Sequence, residues 1–261
     1  MTPDEDKQLR LLGDALRIVR EWENLTGRPD SLQPVPGSEL AEDDRRTHPY
    51  QVSHAVRAAM MAAVDHLGCL RDSLFEWSGS DRVTARIHIY GQFALVRGAL
   101  ENASRAVWML ELDDRDERIL RRLQLEWSEV RAQEHVRDAI GPPGRSMPDR
   151  FDDLTVLIQP TGIDPDEIRS GASYATMVKA AGAHLAADGS RQVVIWRMCS
   201  ALSHGDFRGT LGYTDRQVLG EISPGVALAN VTGSVPLLTA GSLDAIDTMK
   251  VALRLHGRRA M

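Results

Sequence analysis

Arg97-Gly98-Ala99-Leu100-Glu101-Asn102-Ala103-Ser104-Arg105-Ala106-Val107-Trp108 is the stretch on which the fold turns. Its small and apolar residues continue on both sides, rich in Ile, Ala, Leu and Val, and predict one helix over 82–112 at the centre of a core. Along that helix Arg97, Glu101 and Arg105 recur at every fourth residue, a charged stripe on an otherwise apolar element. Buried charge is costly unless paired, so the stripe has a reason. It is either a self-paired ladder that sets helix register, or the polar wall of a pocket shared with a neighbouring helix.

On the N-terminal side, Leu9, Leu12, Leu16, Val19 and Trp22 fall at three- and four-residue spacings and predict a helix over 4–26 that Gly27 stops. Val56, Met60, Val64, Leu67 and Leu74 predict a second over 51–77, with Ser78-Gly79-Ser80-Asp81 as the turn into the central helix. Between these two lies 28–50, with Pro29, Pro34, Pro36 and Pro49. It is long for an internal loop and reads as a linker or as an ordered arm wrapping the bundle.

On the C-terminal side, a helix from Asp113-Asp114 to Ile140 is charged on most faces, which predicts an outer element stopped by Gly141-Pro142-Pro143-Gly144. A short apolar segment over 154–158 follows, then Asp164-Pro165-Asp166-Glu167 as a helix start, then helices over 174–187 and 190–203. Residues 205–241 are rich in Gly, Thr, Ser and Val, and 217–231 around Ser223-Pro224-Gly225 predicts a β-hairpin. A last helix over 243–255 closes the chain. The expected fold class is all-α: one helical-bundle domain over 1–261 with a small β-like excursion near the C-terminus.

Hydrophobic residues make up 43% of the 261 and charged ones 26%, enough to bury a real core. A formal net charge of -6 argues against a general basic field, so no stable DNA binding is expected and any contact with RNA is local and transient. The acidic start MTPDEDKQLR does not read as a secretory signal, and no apolar run approaches the ~20 residues of a membrane span. Cys69 and Cys199 sit in apolar helical patterns and read as buried free thiols in a reducing cytoplasm. Lysine is confined to Lys7, Lys179 and Lys250, and with the alanine content this points to the codons of a GC-rich bacterial genome.

Ile195-Trp196-Arg197-Met198-Cys199-Ser200-Ala201-Leu202-Ser203-His204-Gly205 carries the clearest chemistry. Arg197 and His204 are two helical turns apart, so they project from nearly the same side with Ser200 between them and Ser203 beside His204. Their Cα atoms are expected ~10 Å apart, a gap that a long Arg and a shared phosphate can close. A bidentate cation beside a His, the residue type that exchanges protons near neutral pH, suits RNA phosphodiester cleavage. The alternative is that His204 caps a helix C-terminus, where a cation is favoured, and that Arg197 makes an ion pair.

With an Arg, six residues and a His on a late helix, the chain resembles the HEPN superfamily of helical bundles. The resemblance implies a metal-independent endoribonuclease of toxin or defence type, without cofactor, working as a homodimer. It implies Arg197 and His204 as the catalytic pair; beside it, the charged stripe offers Glu101 to orient one of them and Arg97 and Arg105 to line a phosphate pocket, with Ser200 and Ser203 next to the pair on its helix. The residue after the arginine is polar in many members, whereas it is Met198 here. The competing reading is a non-catalytic helical module that binds a protein partner or small ligand through the same pocket.

A more remote alternative comes from Leu112-Asp113-Asp114-Arg115-Asp116-Glu117, in which Asp113, Asp114 and Glu117 match the DDxxE spelling of class I terpene synthases. That resemblance implies magnesium and a diphosphate. Aromatic residues are only 5%, few for a carbocation cavity, and the same carboxylates suit the positive end of a helix. His54, His66, His88, His135 and His184 show no metal-ligand spacing, and His135 with Asp138 reads as a surface pair. No P-loop, GxGxxG or GxSxG pattern is present.

Overall fold

A computed structural model of the chain describes residues 2–78, 82–141, 144–186 and 188–261, apart from the side chains at 77, 78, 82, 83, 135 and 138. The expected turn at 78–81, the Pro142-Pro143 stop and the His135–Asp138 pair therefore lie wholly or partly outside the described residues. What is described is mostly helical, with two small antiparallel two-stranded sheets.

Helices α1 (Pro3–Ala15) and α2 (Val19–Gly27) are one amphipathic rod interrupted by a tighter turn at Leu16–Ile18. Thr2 starts it with a reciprocal capping box to Glu5, and Leu9, Leu12, Leu16, Val19 and Trp22 are all buried, as their spacing predicts. The next helices are α3 (Glu39–Thr47) and α4 (Val52–Leu74), then strands β1 (Phe75–Ser78) and β2 (Arg82–Ala85), then α5 (Gly91–Leu110).

Two expectations are corrected here. The second helix ends at Leu74 rather than at 77, and the central helix begins at Gly91 rather than at 82, because a hairpin occupies the gap. Phe75, Trp77, Val83 and Thr84 are strand formers, and their local preference outweighs the helical pattern on either side.

The proline-bearing stretch 28–50 is an ordered arm, not a linker. Ser38 caps α3, the Val35 amide donates to the Ala260 carbonyl at 2.8 Å, and His256 donates to the Leu32 carbonyl at 3.1 Å. Asp43, fully buried on α3, accepts from Arg118 at 2.7 Å and from Arg115 at 3.1 Å. Arg259, also buried, donates to Asp113 at 2.9 Å and pairs with Glu39. These contacts tie the arm to both later helices.

Helix α5 is the central element, with Phe93, Val96, Leu100, Val107 and Met109 fully buried. Each such side chain contributes about 1.5–3 kcal/mol of burial. It packs against α4, α8 (Tyr174–Gly182), α9 (Ser190–Ser203) and α11 (Val235–Ala260). The closing helix is thus longer at both ends than the expected 243–255, since Pro236 in its first turn costs no hydrogen bond.

Helix α6 (Arg115–Ile140) is less peripheral than its charge suggests. Arg118 and Arg122 are buried, paid for by Asp43 and Glu126, while Ile119, Leu123 and Trp127 join Phe151, Leu154, Ile158 and Ile168 in a second apolar cluster. The expected apolar segment 154–158 is the end of α7 (Met147–Ile158), capped by Ser146 and Asp149. Asp164 caps only a short 3-10 turn at Pro165–Arg169.

After α9 come α10 (Phe207–Tyr213) and the expected hairpin, β3 (Thr214–Ser223) with β4 (Val226–Gly233). Gly225 supplies the positive φ, +78°, at its turn. No helix among the described residues is long and apolar enough to cross a membrane.

Candidate functional site

Helix α9 is preceded by Gly189, whose φ of +68° and close approach to the Lys179 carbonyl leave no room for a side chain. Ile195, Cys199 and Leu202 bury one face of α9. Burial pushes the Cys199 thiol up to about 12, so it is inert there, whereas Cys69 lies on the exposed side of α4 and corrects the expectation of two buried thiols.

Trp196, Ser200 and Ser203 form the half-buried row beside that face, and from this row Trp196 meets Glu101 and Ser203 meets Arg97 of α5. The Trp196 indole N–H donates to Glu101 Oε1 at 2.8 Å. The same oxygen accepts from Arg97 Nε at 2.8 Å, which fixes the plane of the guanidinium. Arg97 Nη1 then donates to Ser203 Oγ at 3.3 Å and to His204 Nε2 at 2.7 Å. A guanidinium has no acceptor, so Nε2 carries the lone pair and the ring proton belongs on Nδ1. Ser203 Oγ donates its own proton to the Ser200 carbonyl at 2.8 Å, leaving its lone pairs for Arg97.

His204 itself lies one residue past the end of α9, exposed, followed by Gly205 at φ +66°. Arg197 is exposed two turns earlier and makes no ion pair or side-chain hydrogen bond among the described residues. The structure therefore joins His204 to Arg97, not to Arg197, and Glu101 orients Arg97. Arg105 is not part of this group: it donates to Glu129 of α6 at 3.0 Å. Only the first rung of the 97–101–105 stripe is paired within α5. The pattern of α5 shows the polar row but not its partner, because the partner is 107 positions away. Trp196 had one readable signal, its place on the 196–200–203 row with an indole N–H that needs an acceptor when half-buried.

Of the carboxylates in the DDxxE spelling, Asp113 holds α11 to the start of α6 and Asp114 serves as a helix cap. Asp113 bridges Arg258 and Arg259, and these cations hold its carboxyl below the usual range, with the Arg259 hydrogen bond first among the causes. Asp114 caps α6 through the Glu117 amide, and Asp116 pairs with Arg46 at 2.7 Å. Elsewhere, a hollow of about 570 Å³ between the arm and α4 is lined by Gln33, Asp44, Arg45, His48 and His54 among others, and it does not touch Arg197 or His204.

No family model, curated protein or solved structure matches this chain.

Proposed function

We propose that the α5–α9 junction acts on RNA phosphodiesters, as a HEPN-like, metal-independent endoribonuclease of toxin or defence type. The observation that carries this reading is an exposed His204 whose Nε2 is held by Arg97 at 2.7 Å, with the exposed Arg197 two turns away. Phosphate arriving at this cluster takes over the Arg97 hydrogen bond and frees Nε2. The ring then removes the 2′-hydroxyl proton, the 2′-oxygen attacks phosphorus, and the P–O5′ bond breaks. The imidazolium returns its proton to the leaving 5′-oxygen, so the products are a 2′,3′-cyclic phosphate and a 5′-hydroxyl. Arg97 and Arg197 bear on the charge that develops on the non-bridging oxygens.

Cleavage of a mixed RNA pool in EDTA tests the reading. The parent is expected to cut and leave cyclic phosphate ends, and His204→Ala to lose about 10²–10⁴ in rate, the usual contribution of a general acid–base group. An inert parent, or a His204→Ala variant that cuts as fast, overturns it.

A second reading, a non-catalytic module binding a protein partner or small anionic ligand, is favoured by one observation. Arg97 is already satisfied by Glu101, Ser203 and His204, as a structural or ligand-holding residue would be. An inert parent whose melting temperature rises with added ligand, but not in Arg97→Ala, supports it.

A further inference from the structure

Phe207 stands three residues after His204 and is 75% exposed, more than any other aromatic side chain among the described residues. It belongs to neither apolar cluster of the fold. The chain between the two residues is tightly set. The Gly205 amide donates to the Leu202 carbonyl at 3.0 Å, and the Asp206 amide donates to the Ala201 carbonyl, also at 3.0 Å. Asp206 then starts α10 by accepting from the Gly209 amide at 2.9 Å. Gly209 is the buried residue of α10, and a Cβ there would stand 2.7 Å from that of Ala201 on α9. Helix α10 is thus seated on the site helix through a glycine, and its phenyl ring is left in water.

Two relationships bring that ring to the side of the Arg97–His204 cluster. Tyr90, 43% exposed, stands seven residues before Arg97, two turns back along the line of α5. Its hydroxyl lies 3.4 Å from Oγ1 of Thr210, which is three residues after Phe207 and shares its side of α10. From His204 to Phe207 the backbone spans at most about 10 Å. The surroundings name the occupant. Arg197 and Arg208 are both exposed, while Asp206, the one carboxylate between them, is turned to the Gly209 amide. Exposed cations that follow a phosphate backbone, next to an exposed ring on which a base can lie, are the combination that binds single nucleic-acid strands.

We infer that Phe207 stacks on the base next to the phosphate held at His204, and so sets where the strand lies across the site. The inference rests on the ribonuclease reading and adds to it a positioning residue. A base that lies on Phe207 has left its neighbours in the strand, so the strand is unpaired at this step. Stacking of this kind is tolerant of sequence, because every base has a π face.

A single-stranded 2′-O-methyl oligonucleotide carrying 2-aminopurine at alternate positions tests it. The blocked 2′-oxygen cannot attack, and stacking on an aromatic ring quenches the fluorescent base. The parent is expected to quench it on binding. Phe207→Ala should bind about 5- to 150-fold more weakly, the worth of one base–aromatic stack, and should lose the quenching with an unchanged melting temperature. Phe207→Trp should keep both, whereas Phe207→Leu, apolar but without a π face, should keep neither. Phe207→Ala binding as tightly as the parent, or Phe207→Leu quenching as well as the parent, overturns the inference even where RNA is cut. A parent that binds and quenches through Phe207 but cuts no unmodified RNA supports the inference and overturns the ribonuclease reading alone. A parent that binds no oligonucleotide overturns both.

Discussion

Arg97 Nη1 donates to His204 Nε2 across 2.7 Å, joining the middle of the central helix to the end of a helix 107 positions later. The contact depends on Glu101, which holds the guanidinium by Nε and is itself held by the Trp196 indole. A flexible arginine is thereby committed to one orientation before any ligand arrives.

If that cluster cleaves RNA, Arg97 and Arg197 should differ in a measurable way. Arg97→Ala is expected to cost about 10²-fold or more in turnover, and Arg97→Lys to restore little, since an ammonium cannot keep both Glu101 and His204 in a fixed fork. Arg197→Ala, which breaks no described contact, should act on phosphate affinity and leave the melting temperature unchanged. Steady-state rates and thermal melts of the three variants separate these roles.

The arm depends on a buried charge. Asp43→Ala leaves Arg118, 1% exposed, without its carboxylate, and is expected to destabilise the fold by about 3–5 kcal/mol. Urea unfolding measures the loss. A change below about 1 kcal/mol would mean that Glu39, 3.5 Å from Arg118, takes over the pairing.

Stability should also fall in mild acid. Burial lowers the His256 pKa below its ordinary value, against a smaller opposing effect of its bond to the Leu32 carbonyl. The unfolded chain therefore binds the proton more readily, so this contribution is complete above about pH 6.5 and declines as pH drops below it. His256→Gln, which keeps a donor but does not titrate, should flatten the slope of melting temperature against pH below that value. An unchanged slope would place its origin elsewhere.

Gly189→Ala tests how tightly the start of α9 is set. The added methyl meets the Lys179 carbonyl on a backbone with φ +68°, so the helix must shift or the turn must rearrange. A loss of at least about 1–3 kcal/mol is expected, with reduced activity if the Arg97–His204 contact follows α9. Circular dichroism melts and the RNA assay read the two effects separately.

The helical periods were legible because each helix buries one face. Leu9 to Trp22, the α5 apolar run and the 190–203 span are where their spacing places them. The first hairpin was hidden because Phe75 and Trp77 suit either a helix end or a strand, and pairing with Arg82–Ala85 resolves the ambiguity. In α6, charge count misled, because Arg118 is compatible with a core once Asp43 of α3 reaches it, and Arg122 once Glu126, one turn on in α6 itself, pairs with it.

By itself the sequence determined an all-α bundle around α5, a β-excursion before the last helix, and a polar row on α5 at 97, 101 and 105 whose partner it did not name. Only the tertiary structure decided that His204 meets Arg97 instead of Arg197, that Arg105 turns to α6, and that the arm is latched by Asp43 and His256. Periodicity specifies which face of a helix is buried. It carries no information on which distant side chain shares a hydrogen bond, and that choice is made when the packed helices bring donor and acceptor within about 3 Å.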